Sequence, residues 1–384
     1  MTTETQTKMK MSWYIGLMTG TVLDGNIDVA FLRTDGKTIE KFGYYDLVPY
    51  SEGVKSLIMS ALNEAKRWNF IGKEPEVFSK AEAALTKSQA EAVQKCIKLA
   101  GINKKEISAI GFHGQTVLHR PANKIKKGAT RQLGDGQAMA NALDITVVYD
   151  FRTQDIEEGG QGAPLCPIYH AALLNKIGAT STTAILNLGG LGNLSFYSKN
   201  YGLIAFDTGP ANAPLNDWIK FFNAGDMDVN GTIAATGIVD EDKLEKILED
   251  PYFKLKYPKS LDRFDFSYKL VDGMSLEDGA ATLTALVAAA VSKSLDLLPL
   301  RPRQLIVSGG GRKNTTMMRE ISTRANVEVI NADQYNWRGD AIEAECFAFL
   351  AARSLANLPI SYPTTTGVFK PMIGGIIAHK RYKD

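Results

Sequence analysis

Asp207 is the residue whose type and position best suit acid–base chemistry in this sequence. It stands between the apolar run LIAF and the segment TGPANAPLNDWIKFF, in which apolar residues recur at helical spacing. A carboxylate at such a junction of strand and helix can take a proton from a substrate hydroxyl or from water. The alternative is that Asp207 only caps the helix that follows, because aspartate is a favoured N-cap residue.

Two further carboxylates and one histidine are candidates. Glu343 and Glu345 belong to DAIEAECFAFLA, where each is aligned with apolar residues on a predicted helix. A carboxylate on an apolar face usually needs a partner or a function, and periodicity does not choose between the two. His113 opens HGQT after an apolar strand. It could present a donor to a ligand, or it could be an ordinary hydrogen-bonded turn residue.

Three glycine-rich turns follow predicted strands, at Gly16–Gly25, Gly189–Gly192 and Gly309–Gly311. Glycine lets backbone amides approach an anion closely, and a cluster of amides binds phosphate without a lysine. Each turn alone could be an ordinary tight turn. Together they favour a bound nucleotide. The sequence contains neither a G-x-x-x-x-G-K-[ST] run nor the catalytic-loop signature of protein kinases. A P-loop and a protein-kinase mode of binding ATP are therefore both excluded.

The elements that must position these residues alternate between strands and helices. Period-two apolar residues predict a hairpin around the first glycine turn, and TTAILNLGGLGNLSFYS predicts a second that resembles a duplicate. Helical spacing covers Val54–Leu99 and the segment after Asp207, and an Ala-rich helix is predicted from a capping box at Ser275 to Pro299. Since 384 residues exceed what one hydrophobic core usually supports, we predict two α/β lobes.

Composition favours a small-molecule partner. The 44 basic and 42 acidic residues leave a formal charge of +2, so no global field directs the chain to nucleic acid or to a membrane surface. The N-terminal residues contain no apolar export segment, and the Ala-rich run is too short for a membrane span. The spacing of Cys96, Cys166 and Cys346 argues against a metal knuckle, a redox pair or a disulfide framework. We therefore predict a cytoplasmic protein with packed, reduced thiols.

Seven motifs, in order along practically the whole chain, resemble those of the anhydro-N-acetylmuramic acid kinases, within the actin, Hsp70 and sugar-kinase superfamily. They are GLMTGTVLDGNIDVA, GFHGQTVLHRP, DFRTQDIEEGGQGAPL, NLGGLGNLS, FDTGPANAPLNDW, VSGGGRKN and DAIEAECFAFLA. The resemblance implies an α/β fold of two ribonuclease-H-like lobes of the actin-like ATPase type around a central cleft. We expect residues 1–145, completed by 362–384, in the N-terminal lobe and residues 146–361 in the C-terminal lobe. The resemblance also suggests a homodimer.

The resemblance further implies a reaction. ATP and Mg²⁺ would support opening of the 1,6-anhydro ring of anhydro-N-acetylmuramic acid by water and phosphorylation of O6. The product would be N-acetylmuramic acid 6-phosphate, in peptidoglycan recycling. Asp207 matches the family's aspartate that acts as base on the water, and Glu343, rather than Glu345, matches the helix glutamate near the sugar. The expected partner is therefore a small anhydro amino sugar, with no nucleic acid and no membrane.

The same resemblance assigns binding residues. Those expected at ATP, with Mg²⁺ held through water near Asp24, are Gly20, Thr21, Val22, Leu23, Asp24, Gly25, Asn26, Ile27, Asn187, Gly189, Gly190, Asn193, Gly309, Gly310 and Gly311. Those expected at the sugar are Thr19, His113, Gln115, Asp150, Phe151, Gly162 and Asp207.

Three motifs depart from the family pattern. The usual G-L-M-S-G-T-S-L-D-G-I-D is GLMTGTVLDGNID, with Thr19 and Val22 in place of serines and Asn26 added. The usual D-T-G-P-G-N is DTGPAN, and P-K-S-T-G-R-E is PKSLDRFDF at Pro258–Phe266. Because backbone amides would contact the phosphates, we expect these changes of side chain to leave ATP binding intact. Two alternatives stay open: a kinase for another anhydro sugar such as levoglucosan, and a non-catalytic actin-like nucleotide-binding module.

Overall fold

The computed structural model describes residues 10–19, 25–121, 127–179 and 181–380. Its strands are β1 Ser12–Thr19, β2 Asn26–Thr34, β3 Ile39–Pro49, β4 Ile107–Phe112, β5 Gln115–Arg120, β6 Ala129–Leu133, β7 Val147–Tyr149, β8 Thr183–Leu188, β9 Leu191–Ser198, β10 Gly202–Pro210, β11 Gln304–Ser308, β12 Glu328–Asn331 and β13 Ile376–Ala378. Its α-helices are α1 Glu52–Trp68, α2 Glu76–Ala100, α3 Gly136–Leu143, α4 Thr153–Glu157, α5 Pro167–Lys176, α6 Asn212–Phe221, α7 Glu241–Ile247, α8 Leu276–Asp296, α9 Thr315–Ala325 and α10 Ile342–Leu355.

Short 3-10 helices complete the regular structure. They lie at Lys104–Glu106, Val229–Gly231, Ala234–Thr236, Pro251–Lys254, Tyr268–Val271, Gly310–Lys313 and Ala332–Tyr335.

The chain divides into two compact units. Unit 1 comprises Met1–Lys176 and Glu343–Asp384, and unit 2 comprises Ile177–Ile342. The sequence predicted lobe boundaries at residues 145 and 361. The structure instead assigns residues 146–176 and nearly all of α10 to unit 1. One reason is local packing, because the backbone of α10 lies directly on the unit 1 sheet.

The two units repeat one sheet topology. In unit 1 the order is β13-β7-β4-β1-β2-β3, and in unit 2 it is β10-β9-β8-β11-β12. In each unit three successive strands form an antiparallel meander, the next principal strand pairs in parallel with the first one, and a fifth pairs in parallel with that strand. The predicted duplication of the hairpin is thus part of a repeated unit, to which unit 1 adds the edge strand β13.

The helices form where the sequence predicts them, except that one predicted helix is divided into two. The predicted helix over Val54–Leu99 is two helices, because the chain turns through left-handed backbone at Asn69 and Phe70 between α1 and α2. The N-cap half of the predicted capping box is confirmed, since the Ser275 hydroxyl accepts from the Asp278 amide at 3.1 Å, while the Asp278 carboxylate accepts from the Ile238 amide at 2.7 Å. Most of α8 is buried, as predicted for the Ala-rich run. In the described ranges no helix is both long and apolar enough to cross a membrane.

Two glycines set the position of α10. Gly16 of β1 and Gly111 of β4 are neighbours in the parallel register of the unit 1 sheet. A Cβ on Gly16 would lie 1.7 Å from the carbonyl oxygen of Ala344, and one on Gly111 would lie 2.0 Å from that of Phe347. The helix backbone therefore packs against a part of the sheet that has no side chains, at a depth that any larger residue would prevent.

Candidate functional site

Asp207 lies within strand β10 of unit 2, which continues to Pro210. The sequence placed the residue just after a strand that ended at Phe206, and this boundary was wrong. The helix-cap alternative also finds no support, because the residue before α6 is Ala211 and no side chain caps that helix. The carboxylate of Asp207 is instead half-buried and contacts two other segments of unit 2.

Both carboxylate oxygens of Asp207 are held by hydrogen bonds. Asn193 of β9, its partner in the antiparallel register, donates from Nδ2 to Oδ1 at 2.8 Å. The backbone amide of Leu261 donates to Oδ2 at 2.9 Å. Each oxygen keeps further capacity to accept a proton, because a carboxylate oxygen has two lone pairs. The carboxylate is thus oriented without being saturated.

Lys259 and Tyr252 complete the surroundings of Asp207. The Tyr252 hydroxyl donates to the Asp207 carbonyl oxygen at 2.6 Å, and the Asp207 amide donates to the Lys259 carbonyl oxygen at 3.1 Å. The Lys259 ammonium is buried, lies 4.3 Å from the centre of the Tyr252 ring and donates to the Tyr252 carbonyl at 3.0 Å. The segment that departs from the family pattern, Pro258–Phe266, therefore holds the candidate base. Sequence reasoning missed this contact, although the departure itself marked the segment.

Burial changes the ionisation of both charged groups. It raises the pKa of Asp207, while the hydrogen bonds from Asn193 and Leu261 and the charge of Lys259 act in the opposite direction. Burial likewise lowers the pKa of Lys259 to about 8, with Asp207 opposing the change. A carboxylate with a raised pKa is a stronger base than an exposed one, which suits proton abstraction near neutral pH.

The second and third glycine turns lie side by side in unit 2. Asn212, at the start of α6, donates from its side chain to the carbonyl oxygens of Leu188 and Gly189 at 2.9 and 2.8 Å. Its side chain would also lie 3.3 Å from a Cβ on Gly311. Asn187 joins the turns from β8, since its Oδ1 accepts from the Ser308 hydroxyl at 3.2 Å. The structure thus brings two of the three predicted phosphate-binding turns together.

The glycines of these two turns differ in how much space surrounds them. A Cβ on Gly189, Gly190 or Gly310 would meet nothing closer than 3.5 Å. One on Gly309 would lie 2.6 Å from Asn187 Oδ1, and one on Gly311 would lie 2.5 Å from Leu188 Cβ. One on Gly192 would lie 2.4 Å from Thr208 Oγ1, so packing requires glycine at three of these six positions. The other three leave backbone amides and open space where an anion can approach.

The buried His113 and the half-buried Arg152 form a pair in unit 1. His113 Nδ1 lies 2.9 Å from the Gly114 carbonyl, so it is the protonated nitrogen, and Nε2 accepts from Arg152 at 3.1 Å. Burial and the Arg152 charge lower the pKa of His113 to about 3, so the ring is neutral. Arg152 also donates to the Gly162 carbonyl at 2.7 Å. The arginine lies in the predicted polar stretch after β7, but sequence reasoning gave it no role.

The two helix glutamates have different surroundings. The Glu343 side chain is exposed to solvent, and the surrounding protein raises the pKa of its carboxyl, an effect that the charge of Arg152 opposes. Glu345 is buried and accepts a 2.7 Å hydrogen bond from the Tyr169 hydroxyl. Only Glu343 can reach a ligand, whereas Glu345 holds α5 and α10 together.

Cys166 and Cys346 also meet in unit 1. Cys346 is buried and Cys166 is half-buried, and burial together with the neighbouring Cys166 raises the pKa of the Cys346 thiol. Both thiols interact electrostatically with Arg152. All three cysteines, Cys96 included, are free thiols, and Cys96 and Cys346 are buried, in agreement with the prediction of packed thiols.

Three more of the predicted sugar residues, besides His113, have buried side chains. The Thr19 hydroxyl lies 2.9 Å from the Tyr50 hydroxyl and accepts from Gln89 at 2.8 Å. Gln115 donates to the Thr116 carbonyl at 3.1 Å, and its Oε1 has no partner among the described residues. Phe151 is 2 % exposed. These side chains sit behind the surface and would position groups that contact a ligand.

Asp150 is half-buried and has a left-handed backbone, with φ at 49°. Its carboxylate accepts from the Thr153 hydroxyl at 2.7 Å and from the Thr153 amide at 3.3 Å, which orders the start of α4. A small cavity next to it, with about 90 Å³ of internal space, is lined by Asp150, His113 and Arg131 among others.

The first glycine turn is described only at its ends. Gly20, Thr21, Val22, Leu23 and Asp24 lie outside the described residues, and with them the predicted water-mediated Mg²⁺ site. The Gly25 carbonyl accepts from the Tyr50 amide at 2.8 Å, and Asn26 and Ile27 begin β2. In the part of the chain that is described, no three His, Cys, Asp or Glu side chains are grouped to hold a metal ion.

Comparison with known proteins assigns the family. The family model for "Anhydro-N-acetylmuramic acid kinase" matches residues 12–380. The protein of that name from Brucella anthropi is 56% identical over 367 residues, which are 96% of this chain and 99% of the relative. Those from Mesorhizobium japonicum and Rhizobium rhizogenes are 54% and 55% identical over 370 residues, 96% of this chain and 100% of each relative. This chain belongs to the anhydro-N-acetylmuramic acid kinase family.

Proposed function

We propose that this protein is an ATP-dependent anhydro-N-acetylmuramic acid kinase. It opens the 1,6-anhydro ring of the sugar with water and phosphorylates O6, giving N-acetylmuramic acid 6-phosphate for peptidoglycan recycling. Membership of the family supports the substrate and the use of ATP. The observation that carries the mechanism is the held but unsaturated carboxylate of Asp207.

Asp207 acts as the general base. Its carboxylate removes a proton from the water that attacks the anomeric carbon, and Asn193 and Leu261 keep the carboxylate aimed during this transfer. The bond from the anomeric carbon to the bridging oxygen breaks, and that oxygen becomes O6 of the opened sugar. O6 then takes the γ-phosphoryl group of ATP. The raised pKa of Asp207 supports this assignment, because the proton must be held until it is released to solvent.

The glycine turns of unit 2 fit the phosphates of ATP. Gly189, Gly190 and Gly310 offer backbone amides with open space beside them, and electrostatic positioning of this kind supplies much of phosphoryl-transfer catalysis. The first glycine turn, Gly20–Ile27, is proposed to contribute as the family resemblance implies. Mg²⁺, when bound with ATP, neutralises phosphate charge, and Asp24 is the residue proposed to hold it through water.

Unit 1 supplies the group proposed to contact the sugar. Both the exposed Glu343 carboxyl and the neutral His113 ring are influenced by Arg152, which donates to His113 Nε2 and acts on Glu343 through its charge. The exposed Glu343 carboxyl can hydrogen-bond to sugar hydroxyls and amides, whereas His113, whose two ring nitrogens are engaged by Gly114 and Arg152, positions the arginine. We further propose a cytoplasmic homodimer, by analogy with the family and because ATP is the phosphoryl donor.

The test of the mechanism is turnover in ¹⁸O-labelled water. Wild-type protein, ATP and the anhydro sugar should give a phosphosugar with the label at the anomeric oxygen and none in the phosphate. Product made in ordinary water and then moved to labelled water corrects for exchange. A phosphosugar from levoglucosan but not from anhydro-N-acetylmuramic acid would overturn the assigned substrate, and no phosphosugar from either would overturn the enzyme.

The variant Asp207→Asn tests the base. We expect kcat to fall by roughly 10²–10⁴-fold, the usual contribution of general base catalysis, with ATP binding retained. Retention of the wild-type rate would remove Asp207 from this role.

The variant Gly190→Ala tests the phosphate site separately. The new methyl group would meet only Ala213 Cβ, at 3.5 Å, so the fold should be unaffected. We expect weaker ATP binding by calorimetry at an unchanged melting temperature. Unchanged affinity for ATP would place the phosphates elsewhere.

A further inference from the structure

We propose that Arg263 and Asp217 are positioning residues for the general base Asp207. Their ion pair fixes the turn Asp262–Asp265, and this turn follows directly on Leu261, whose amide holds the Asp207 carboxylate. All of these residues belong to unit 2. The proposal rests on the proposed function, because it gives the pair a part in the same reaction.

The turn that contains Arg263 has hydrogen bonds of its own. The Asp262 carboxylate accepts from the Phe264 amide at 3.0 Å, and the Asp265 carboxylate accepts from the Asp262 amide at 2.7 Å. The Asp265 amide also donates to the Asp262 carbonyl at 3.1 Å. The turn is therefore one compact body, and a displacement of it displaces the adjoining Leu261 amide.

The chain on either side of the turn is buried, but the turn itself is exposed. Lys259 comes before it and Phe266 after it, and both side chains are buried. Phe264, within the turn, is 70% exposed. Buried flanks fix the ends of such a turn but not its middle. A side-chain contact is needed there, and Arg263 provides it.

This contact is an ion pair with helix α6. Arg263 Nη2 donates to both carboxylate oxygens of Asp217, at 2.9 and 3.2 Å. The guanidinium carbon lies 5.5 Å from the centre of the Phe264 ring, which favours the same orientation. The paired side chains are 39% and 33% exposed, and ion pairs at such exposure contribute little to folding stability. An effect of the pair on activity can therefore be separated from unfolding.

Helix α6 is itself fixed at the proposed phosphate site. Its first residue, Asn212, bonds to the carbonyl oxygens of Leu188 and Gly189 through its side chain and to that of Gly189 through its amide, at 3.0 Å. Asp217 lies five residues later on the same helix. The ion pair therefore holds the segment next to the base at a defined position relative to the two glycine turns.

The Leu261 amide affects the ionisation of Asp207 as well as its orientation. Burial raises the pKa of Asp207, while the hydrogen bonds from Asn193 and Leu261 and the charge of Lys259 lower it. Loss of the Leu261 bond therefore raises this pKa. Loss of the Asp217 charge alone can only lower it, because an anion disfavours the ionisation of another carboxyl. The two effects have opposite signs.

The variant Asp217→Asn separates these effects. It keeps the size of the side chain and removes the charge that holds Arg263. Lys259 and Tyr252, the other titratable groups around Asp207, are unchanged. We expect kcat to fall roughly 10–100-fold, as for a misplaced catalytic group, at a nearly unchanged melting temperature. The pKa of the Asp207 carboxyl, followed by ¹³C NMR in protein labelled at aspartate Cγ, should rise. An unchanged or lowered pKa would overturn the proposal.

Two further variants connect the result to the ion pair. Asp217→Asn combined with Arg263→Gln should be no slower than the slower single variant, because both changes break one contact, and losses that multiply would overturn the pair. The matched control is Glu241→Gln, which removes the carboxylate from a comparable ion pair of unit 2, 2.6 Å from Arg324 Nη2. It should keep the wild-type kcat and the wild-type pKa of Asp207, and a change in either would overturn the special role of the first pair.

The NMR measurement does not depend on turnover. If the wild-type protein makes no phosphosugar, the proposed function fails, while the pKa of Asp207 in Asp217→Asn still tests whether the pair holds the Leu261 amide. If the pKa rises and kcat is that of the wild type, the function stands and the part of the pair in the reaction is overturned.

Discussion

Gly16→Ala is the substitution whose effect follows most directly from the structure. Strand β1 and helix α10 meet backbone to backbone at this glycine. A methyl group there would lie 1.7 Å from the Ala344 carbonyl oxygen and 2.6 Å from the Ala348 amide nitrogen. Neither atom belongs to a side chain that could rotate away, so the helix itself must move.

The size of the effect follows from these distances. Ordinary contact needs about 3.5 Å, so strand and helix must separate by roughly 1.8 Å, the difference between 3.5 and the 1.7 Å available. Overpacking of a rigid core costs about 1–3 kcal/mol, and we expect the upper end, about 3 kcal/mol, because both contacts are backbone. For a domain of 150–250 residues that corresponds to a melting temperature roughly 6–12 °C lower.

Activity should fall as well. Glu343 immediately precedes Ala344, so a shift of the helix moves the proposed sugar contact by a similar distance. Misplacement by about 1 Å can cost roughly 100-fold in rate. We therefore expect a kcat reduced about 100-fold at a temperature where the variant is still folded.

The assay pairs thermal unfolding with steady-state turnover of the anhydro sugar. The matched control is Gly53→Ala in α1, where an added Cβ would meet no atom within 4 Å. That variant should be unchanged or about 0.5–1 kcal/mol more stable, since alanine is the better helix residue. A Gly16→Ala protein with wild-type stability and turnover would refute the argument that these glycines position α10.

Other predictions concern ionisation and the two helix glutamates. Lys259→Met should move the acid limb of the kcat/KM profile to higher pH, because the lysine ammonium favours the ionised form of Asp207. An acid limb at the wild-type pH would show that Lys259 does not act on this carboxylate. His113 and His170, whose pKa values burial lowers to about 3 and 4, should show neutral-ring NMR signals at pH 5. Their contribution to folding stability is then lost as the pH falls below 6.5, because the unfolded state binds the protons; protonated signals at pH 5 would contradict this. Glu345→Gln should lower the free energy of unfolding by about 1–3 kcal/mol, because it weakens the buried hydrogen bond with Tyr169. Glu343→Gln should instead lower kcat at unchanged stability. The opposite result for the two variants would exchange the roles of these glutamates.

Much of the fold was accessible from local signals. The alternating residues of β1 and β2, the N-cap at Ser275 and the apolar face of α6 depend on neighbours within a few residues, and each formed where the sequence predicted. The boundaries were less accessible. Strand β10 extends beyond Phe206 because Asp207 and Pro210 pair with β9, a partner that periodicity does not reveal.

The candidate site likewise has features set by neighbouring residues and features set by contacts between distant segments. The sequence by itself determined the family, the three glycine turns and Asp207 as the candidate base, because these are motifs of contiguous residues. Only the tertiary structure decided which glutamate of α10 reaches solvent and which is buried on Tyr169. It also placed Lys259 beside Asp207 and Cys166 beside Cys346. These pairs are set by how distant segments pack, and neither composition nor spacing along the chain contains that information.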